Sequence, residues 1–298
     1  MKVMITGGAG FIGSNLVERF IKDGHEVIVI DNESSECHEN FYWNNKAKNY
    51  KLDICDYDSI SRLFKDVDVV FHLAAEARIQ PSLINPIKTI KTNVLGTTNI
   101  LQLCKDNNVK KLIYSSTSSS YGRKNKIPFK EDMKNDCLTP YSVGKTSGEE
   151  MCVMYYKLFN VKTVILRYFN VYGNRQPTKG QYAPVIGLFQ KQFKENKKLT
   201  IIGDGLQKRD FTNVEDVVDA NIVAAHSDND KIFGQIFNIG TGKNYSILEI
   251  AKMIGGQYEH IQPRKAELRE TLADIEKAKV MLNWMPKINL DEWLSKNK

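Results

Sequence analysis

At 298 residues the chain has room for one large α/β domain or two modest ones, each with ample core. Hydrophobic content of 42% and charged content of 26% are ordinary for a globular protein, and no apolar run approaches the ~18 residues of a membrane span. Lys and Arg total 42 against 35 Asp and Glu, a formal +7, but the basic residues are scattered (Lys105, Lys110, Lys111, Lys191, Lys194, Lys197, Lys198), with no basic run, zinc-finger or RNP pattern; nucleic acid is excluded as a partner, and the positive field favours small anions instead.

The chain opens on an apolar strand, Val3 to Ile5, whose run is too short for a signal peptide. It meets Gly7, Gly10 and Gly13, and a helix follows. This pattern aims free backbone N–H groups and the positive end of a helix at a pyrophosphate. A second strand, Val27 to Ile30, ends in Asp31, whose carboxylate suits ribose hydroxyls and repels a 2′-phosphate, favouring NAD over NADP. Residues 32–49 read as a polar, irregular loop near the adenine. Val67–Phe71 and Leu112–Ser115 are short apolar runs suited to buried parallel strands. A helix is expected from about Asn85-Pro86 to Lys105, another from Pro140 to about Phe159, then a strand at Val161–Leu166. Such alternation predicts a Rossmann-type, doubly wound parallel sheet. After about Tyr168 the elements shorten: Lys198–Ile202, a helix at Val214–Ala225, Ile236–Ile239, and a helix from Ile247. The expected division is a dinucleotide-binding domain over 1–168 and a smaller α/β substrate domain over 169–298, some of whose segments return to the first. The five cysteines and five histidines lack metal-ligand or disulfide spacing, which points to reduced thiols in the cytoplasm and no metal.

Two Tyr-x-x-x-Lys pairs occur. Tyr42/Lys46 lies in the irregular loop with no hydroxyl cluster before it and is set aside. Tyr141/Lys145 starts the helix behind Pro140, and its spacing puts both side chains on one face. Upstream, Leu112–Ser115 runs into a turn rich in hydroxyls, Ser115 to Tyr121. Tyrosine, with a pKa of about 10, is a poor base. A nearby Lys145 ammonium and the positive nicotinamide would stabilise its phenolate. Tyr141 can then take a proton from a sugar hydroxyl while the same carbon loses hydride, with Thr117 hydrogen-bonded to that hydroxyl.

Together these residues resemble the extended short-chain dehydrogenase/reductase superfamily, in particular the nucleotide-sugar 4-epimerases. The resemblance spans nearly the whole chain. It includes TGGAGFIG at 6–13, Asp31-Asn32, Leu52-Asp53-Ile54, His72-Leu-Ala-Ala75, Asn93-Val-Leu-Gly96, YSSTSSSYG at 114–122, Tyr141-Ser-Val-Gly-Lys145 and LRYFNVYG at 166–173. Further on it includes Lys208-Arg-Asp-Phe211, Asn238-Ile-Gly-Thr-Gly242 and Leu282-Asn-Trp-Met-Pro286.

The resemblance implies that Phe11, Ile12, Asn32 and Ser115 join the glycines and Asp31 around the cofactor. Asp53 and Ile54 would hold the adenine. Leu73, Ala74 and Ala75 would pass the pyrophosphate and ribose with Asn93 nearby, and Tyr168 would line the nicotinamide side. Asn170, Arg209 and Arg264 would hold a UDP diphosphate and ribose, and Tyr182 and Val185 lie in the segment lining the nucleotide. Related 4,6-dehydratases carry Thr-Asp-Glu, and xylose-forming decarboxylases Thr-Ser-Glu, where this chain has Thr117-Ser118-Ser119. Both extra carboxylate roles are missing, which leaves epimerisation. Most epimerases carry Ser at the position of Thr117; the hydroxyl is retained. A small residue at Thr271, two before Ala273-Asp274, resembles the gate that admits N-acetylated sugars. The expectation is a UDP-N-acetylglucosamine 4-epimerase, with UDP-glucose as a further substrate, working as a homodimer through helices around 87–107 and 140–159. The alternatives are a UDP-glucuronate 4-epimerase with Arg78 as carboxylate partner, an NAD(P)H-dependent nucleotide-sugar reductase, and a non-catalytic NAD-binding module.

Overall fold

A computed structural model describes residues 1–180, 183–263 and 268–297. Its twelve strands are β1 (Lys2–Thr6), β2 (Glu26–Asp31), β3 (Lys48–Lys51), β4 (Val69–His72), β5 (Lys111–Thr117), β6 (Thr163–Tyr168), β7 (Asn170–Tyr172), β8 (Leu199–Ile202), β9 (Lys208–Asn213), β10 (Gln235–Ile239), β11 (Asn244–Ser246) and β12 (Tyr258–Ile261). The helices are α1 (Phe11–Lys22), α2 (Tyr57–Ser61), α3 (Ile79–Ile84), α4 (Pro86–Ile90), α5 (Thr97–Asp106), α6 (Pro140–Phe159), α7 (Val185–Lys194), α8 (Val214–His226), α9 (Ile247–Ile254), α10 (Glu276–Leu282) and α11 (Leu290–Lys296).

Seven strands form one sheet in the order β10-β6-β5-β4-β1-β2-β3, and every pairing in it is parallel. This is the doubly wound arrangement that the alternation predicts. Side chains alternate across it with period two. Val3, Ile5, Val27, Val29, Val69 and Phe71 pack on α1, α8 and α10, whose inward residues include Leu16, Phe20, Val217, Ala224 and Leu282. Met4, Ile28, Ile30, Val70, Leu112 and Tyr114 pack on the other face against Ile100, Leu101 and Cys104 of α5 and Cys152 and Tyr155 of α6.

Two local departures from the expected elements have physical causes. The helix expected from Asn85-Pro86 to Lys105 is interrupted by a π turn at Lys91–Gly96. There the Thr97 and Thr98 hydroxyls donate to the carbonyls of Asn93 and Val94 at 2.7 and 2.9 Å, a bond that competes with the regular ladder. The second departure is β3, within the segment read as loop. Its Lys-Asn-Tyr-Lys sequence has no apolar alternation, because it is an edge strand facing water.

After Tyr168 the chain builds a separate layer. β7, β9 and β11 form one small sheet and β8 and β12 another. Tyr172, Phe189, Ile201, Phe211, Ile250 and Leu294 form its core. Two segments return to the first layer: β10 pairs with β6, and α8 packs on the main sheet. Among the described residues no helix is long and apolar enough to cross a membrane.

Candidate active site

The strand β1 delivers the chain to Gly7, whose φ is +69°, at a point where a Cβ would stand 2.7 Å from the Ala74 nitrogen. At Gly13 a Cβ would meet the Gly7 carbonyl at 2.2 Å. Only glycine permits this approach of helix, turn and neighbouring strand. Gly10 is the N-cap of α1 and has no side chain to cap it, so the first-turn amides are open to an anion. Asp31 stiffens the turn: its Oδ2 accepts from the Ala9 amide at 3.1 Å and its Oδ1 from the Glu33 amide at 2.8 Å. Burial raises its pKa, and those amides pull the other way.

From this turn a cavity of about 900 Å³ runs to the second layer. It is lined by Gly7, Gly10, Phe11, Ile12, Gly13, Asp31, Asn32, Ile54, Leu73, Ala74, Ala75, Ser115 and Tyr168 from the expected cofactor set. Thr117, Tyr141 and Lys145 also line it, as do Arg78, Asn170, Val185, Arg209 and Thr271. Two candidates do not. Asp53 is exposed beyond the rim, where it accepts from Asn32 Nδ2 at 3.2 Å and from the Cys55 amide at 2.8 Å. Asn93 is buried beneath the wall and clamps the backbone of Glu76, accepting from its N–H at 2.9 Å and donating to its carbonyl at 3.1 Å. Tyr182 and Arg264 lie outside the described residues.

The reacting end is set by α6 and β5. Thr139 caps α6 with a reciprocal Ser142 bond, and Pro140 opens its first turn. Tyr141 therefore sits at the start of the helix and Lys145 one turn on. The Thr117 hydroxyl, at the end of β5, donates to Ser119 Oγ at 3.2 Å and lies near enough to the Tyr141 phenol to favour its ionised form. Burial pushes that phenol up, while Thr117 and the Arg78 charge pull it down. Lys145 is 3% exposed, and burial lowers its pKa to about 8. Its ammonium stands 4.3 Å from the centroid of the Tyr114 ring. The charge that acts on Tyr141 here is that of Arg78, whereas Lys145 lies over the Tyr114 ring. Tyr168 is fixed by Ser115 Oγ at 2.9 Å and by Asn221 Nδ2 at 2.8 Å.

Below this end lies an ion pair that the sequence reading did not single out. Arg167 donates to Glu149 through Nε at 2.8 Å and Nη2 at 2.6 Å, and both side chains are 1% exposed. Ser116 Oγ adds a bond to Glu149 at 2.5 Å. The network ties α6 to β5 and β6. Its one sequence signal is Glu149 four residues after Lys145, on the same helical face.

On the substrate side, Thr271 is 4% exposed and its hydroxyl accepts from the Asp210 amide at 3.3 Å. The Asp210 carboxylate gathers the amides of Thr241, Gly242 and Ala273 at 2.8, 3.0 and 3.1 Å, which joins β9 to two loops. Arg209 Nη1 donates to the Lys208 carbonyl at 2.8 Å.

A cavity built this way serves a dinucleotide-dependent enzyme. The open amides of α1 fit a diphosphate, the bracing of Asp31 fits an NAD ribose, and the cavity continues from there to Tyr141. The NAD dependent epimerase/dehydratase family model matches residues 3–240, and the chain belongs to that family of NAD-dependent enzymes. It is 38% identical to a putative UDP-glucose 4-epimerase of Methanocaldococcus jannaschii over 99% of this chain and 96% of that one. It is 36% identical to a UDP-glucuronate 4-epimerase of Thermodesulfobacterium geofontis over 98% and 94%. Among solved structures it is similar to a UDP-N-acetylglucosamine 4-epimerase of Methanobrevibacter ruminantium, solved with UDP-N-acetylmuramic acid, at TM-score 0.92 and 33% identity, covering 99% of this chain and 96% of that one.

Proposed function

We propose that this protein inverts C4 of a UDP-hexose, with UDP-N-acetylglucosamine as its main substrate and UDP-glucose as a second. The observation that carries the sugar assignment is Thr271, a small residue on the cavity wall whose hydroxyl is turned to the Asp210 amide. It leaves room where a large side chain would exclude an acetamido group. The choice of reaction rests on Thr117-Ser118-Ser119, which places no carboxylate at the end of β5 for elimination or decarboxylation.

NAD, when bound, supplies the acceptor and later donor for the C4 hydride. The chain's own residues handle the proton and the geometry. Tyr141 takes the proton of the C4 hydroxyl and returns it to the oxygen on the other face of the sugar. Thr117 and Arg78 both favour the ionised form of that phenol. Lys145 adds a buried positive charge one turn away. Arg209, Asn170 and Val185 hold the UDP end, so the flat keto sugar can turn about its phosphate linkage.

The 1–168 and 169–298 division has a matching logic: the first unit, completed by α8 and β10, holds the cofactor, and the second closes on the nucleotide. The five cysteines are all free, in keeping with work in the reducing cytoplasm. Homodimerisation is supported by apolar residues left in water on the neighbouring α4 and α6, with Ile87 81% and Leu158 69% exposed.

The test is proton NMR of the anomeric region with UDP-N-acetylglucosamine and no added NAD. Growth of a UDP-N-acetylgalactosamine signal is expected. T271Y should then lose the N-acetylated substrate and keep UDP-glucose; equal loss of both defeats the gate. UDP-glucuronate is run alongside, because Arg78 on the cavity wall is a suitable carboxylate partner. Turnover of that sugar alone would replace the assignment.

A further inference from the structure

The connection between β2 and β3 lies across the glycine turn and is pinned there. The Tyr42 amide donates to the Ala9 carbonyl at 2.8 Å, and Trp43 Nε1 donates to Glu33 at 2.7 Å. Glu39 pairs with Lys191 on α7, and the Arg175 guanidinium stands 5.3 Å from the Tyr42 ring centroid. These ties hold His38 over the first turn of α1. Its Nε2 is 3.8 Å from the point a Gly10 Cβ would occupy, its ring centroid is 5.6 Å from that of Phe41, and both residues line the cavity.

We propose that His38 is a ligand of the cofactor's diphosphate, protonated when the diphosphate is in place, so that NAD binding takes up a proton. This rests on the reading of the glycine turn as the NAD site. Burial, together with the charge of Arg78 on the same cavity wall, lowers the imidazole pKa to about 4. The α1 N-terminus contributes a field of the same sign. The nearby carboxylates are engaged elsewhere or solvated: Glu39 with Lys191, Asp31 with the Ala9 and Glu33 amides, and Glu36 exposed on the rim. Cys37 is a buried neighbouring thiol, and Lys179, on the cavity wall, adds to the positive side. A positive setting of this kind keeps an imidazole neutral until an anion arrives; a diphosphate at Gly10 reverses the balance.

The sign follows from linkage. A group whose pKa rises on binding strengthens binding below the new pKa, and that gain is lost as pH rises through it. If His38 returns to the ordinary value of about 6.5, NAD is held about tenfold more tightly at pH 5.5 than at pH 7.5. Lys145 and Tyr141 respond to the positive nicotinamide with the opposite sign, so the His38 contribution is isolated only by substituting it.

The experiment is a histidine-selective NMR titration of the purified holoenzyme, with the His38 signal assigned by H38Q. Titration at or above pH 6.5 is expected; a ring that stays neutral down to pH 5 overturns the proposal. NAD release, followed by trapping in a coupled dehydrogenase, gives a second reading. It should be about tenfold slower at pH 5.5 than at 7.5 in the parent, flat or reversed in H38Q, and slow at both in H38R. Matching pH profiles for the parent and H38Q overturn the proposal. A purified protein that releases no dinucleotide on denaturation and binds none when it is added overturns the NAD-site reading as well, and so is told apart.

Discussion

Tyr141 has two helpers whose loss can be read separately from its own. Its phenol is raised by burial and lowered by the Thr117 hydroxyl and the Arg78 charge. Removing a lowering influence raises the pKa, and a base that must ionise then works only at higher pH. T117V should therefore move the rising limb of kcat/KM to higher pH and cost about 10²-fold at neutral pH. Y141F should lose turnover at every pH while retaining bound NAD. A T117V profile that superimposes on the parent would remove Thr117 from the proton path. The glycines, Asp31, Thr117, Tyr141 and Lys145 line one cavity because each stands at a strand end or a helix start, where the sheet delivers side chains to one crevice. Asp53 and Asn93 carry the same kind of motif signal, yet one is exposed at the rim and the other buried beneath the wall. Spacing identifies the neighbourhood of a site, whereas the direction of a side chain depends on tertiary packing. His38 lies in an irregular loop with no periodicity to mark it, and only its seat over Gly10 reveals it.

The elements of the first layer were legible for the same reason that they are stable: short β-branched runs buried on both faces have one assignment. The exceptions are informative. The strand β3 is polar because it is an edge, and the π turn at Lys91–Gly96 is set by Thr97, Thr98 and the Asn93 clamp. Neither has a hydrophobic period. The Glu149–Arg167 pair is the least legible and has the largest local consequence. With both side chains 1% exposed, E149A leaves a guanidinium without its counter-charge beneath the catalytic strand. Such a change costs about 3–5 kcal/mol, and the urea midpoint should fall accordingly. Adding R167M removes the stranded charge and should recover most of the loss. If E149A unfolds at the parent midpoint, α6 is held to β5 and β6 by packing alone.

At the scale of the whole molecule, chain order and spatial order part company after Tyr168. β10 and α8 go back to the main sheet while the segments around them build the second layer. Composition marks where elements shorten but not where they dock, so the return was open until strand pairing was known. One surface is left unexplained by the monomer. Leu83, Ile84, Ile87, Ile90 and Leu95 project from α3, α4 and the π turn, and Val143, Met154, Leu158 and Phe159 from the adjacent α6, all exposed. Single exposed apolar residues are ordinary; a set along neighbouring helices is what an interface between two copies would bury. A second copy related by a two-fold axis would bring the same helices together as a four-helix contact. Such an interface would also steady α6, and with it Tyr141 and Lys145. Light scattering should report a dimer at micromolar concentration. I87K with L158K, neither of which lines the cavity, should yield a folded monomer with weakened activity. A monomeric parent would leave the patch without its partner, and a monomeric variant of full activity would separate dimerisation from the ordering of α6.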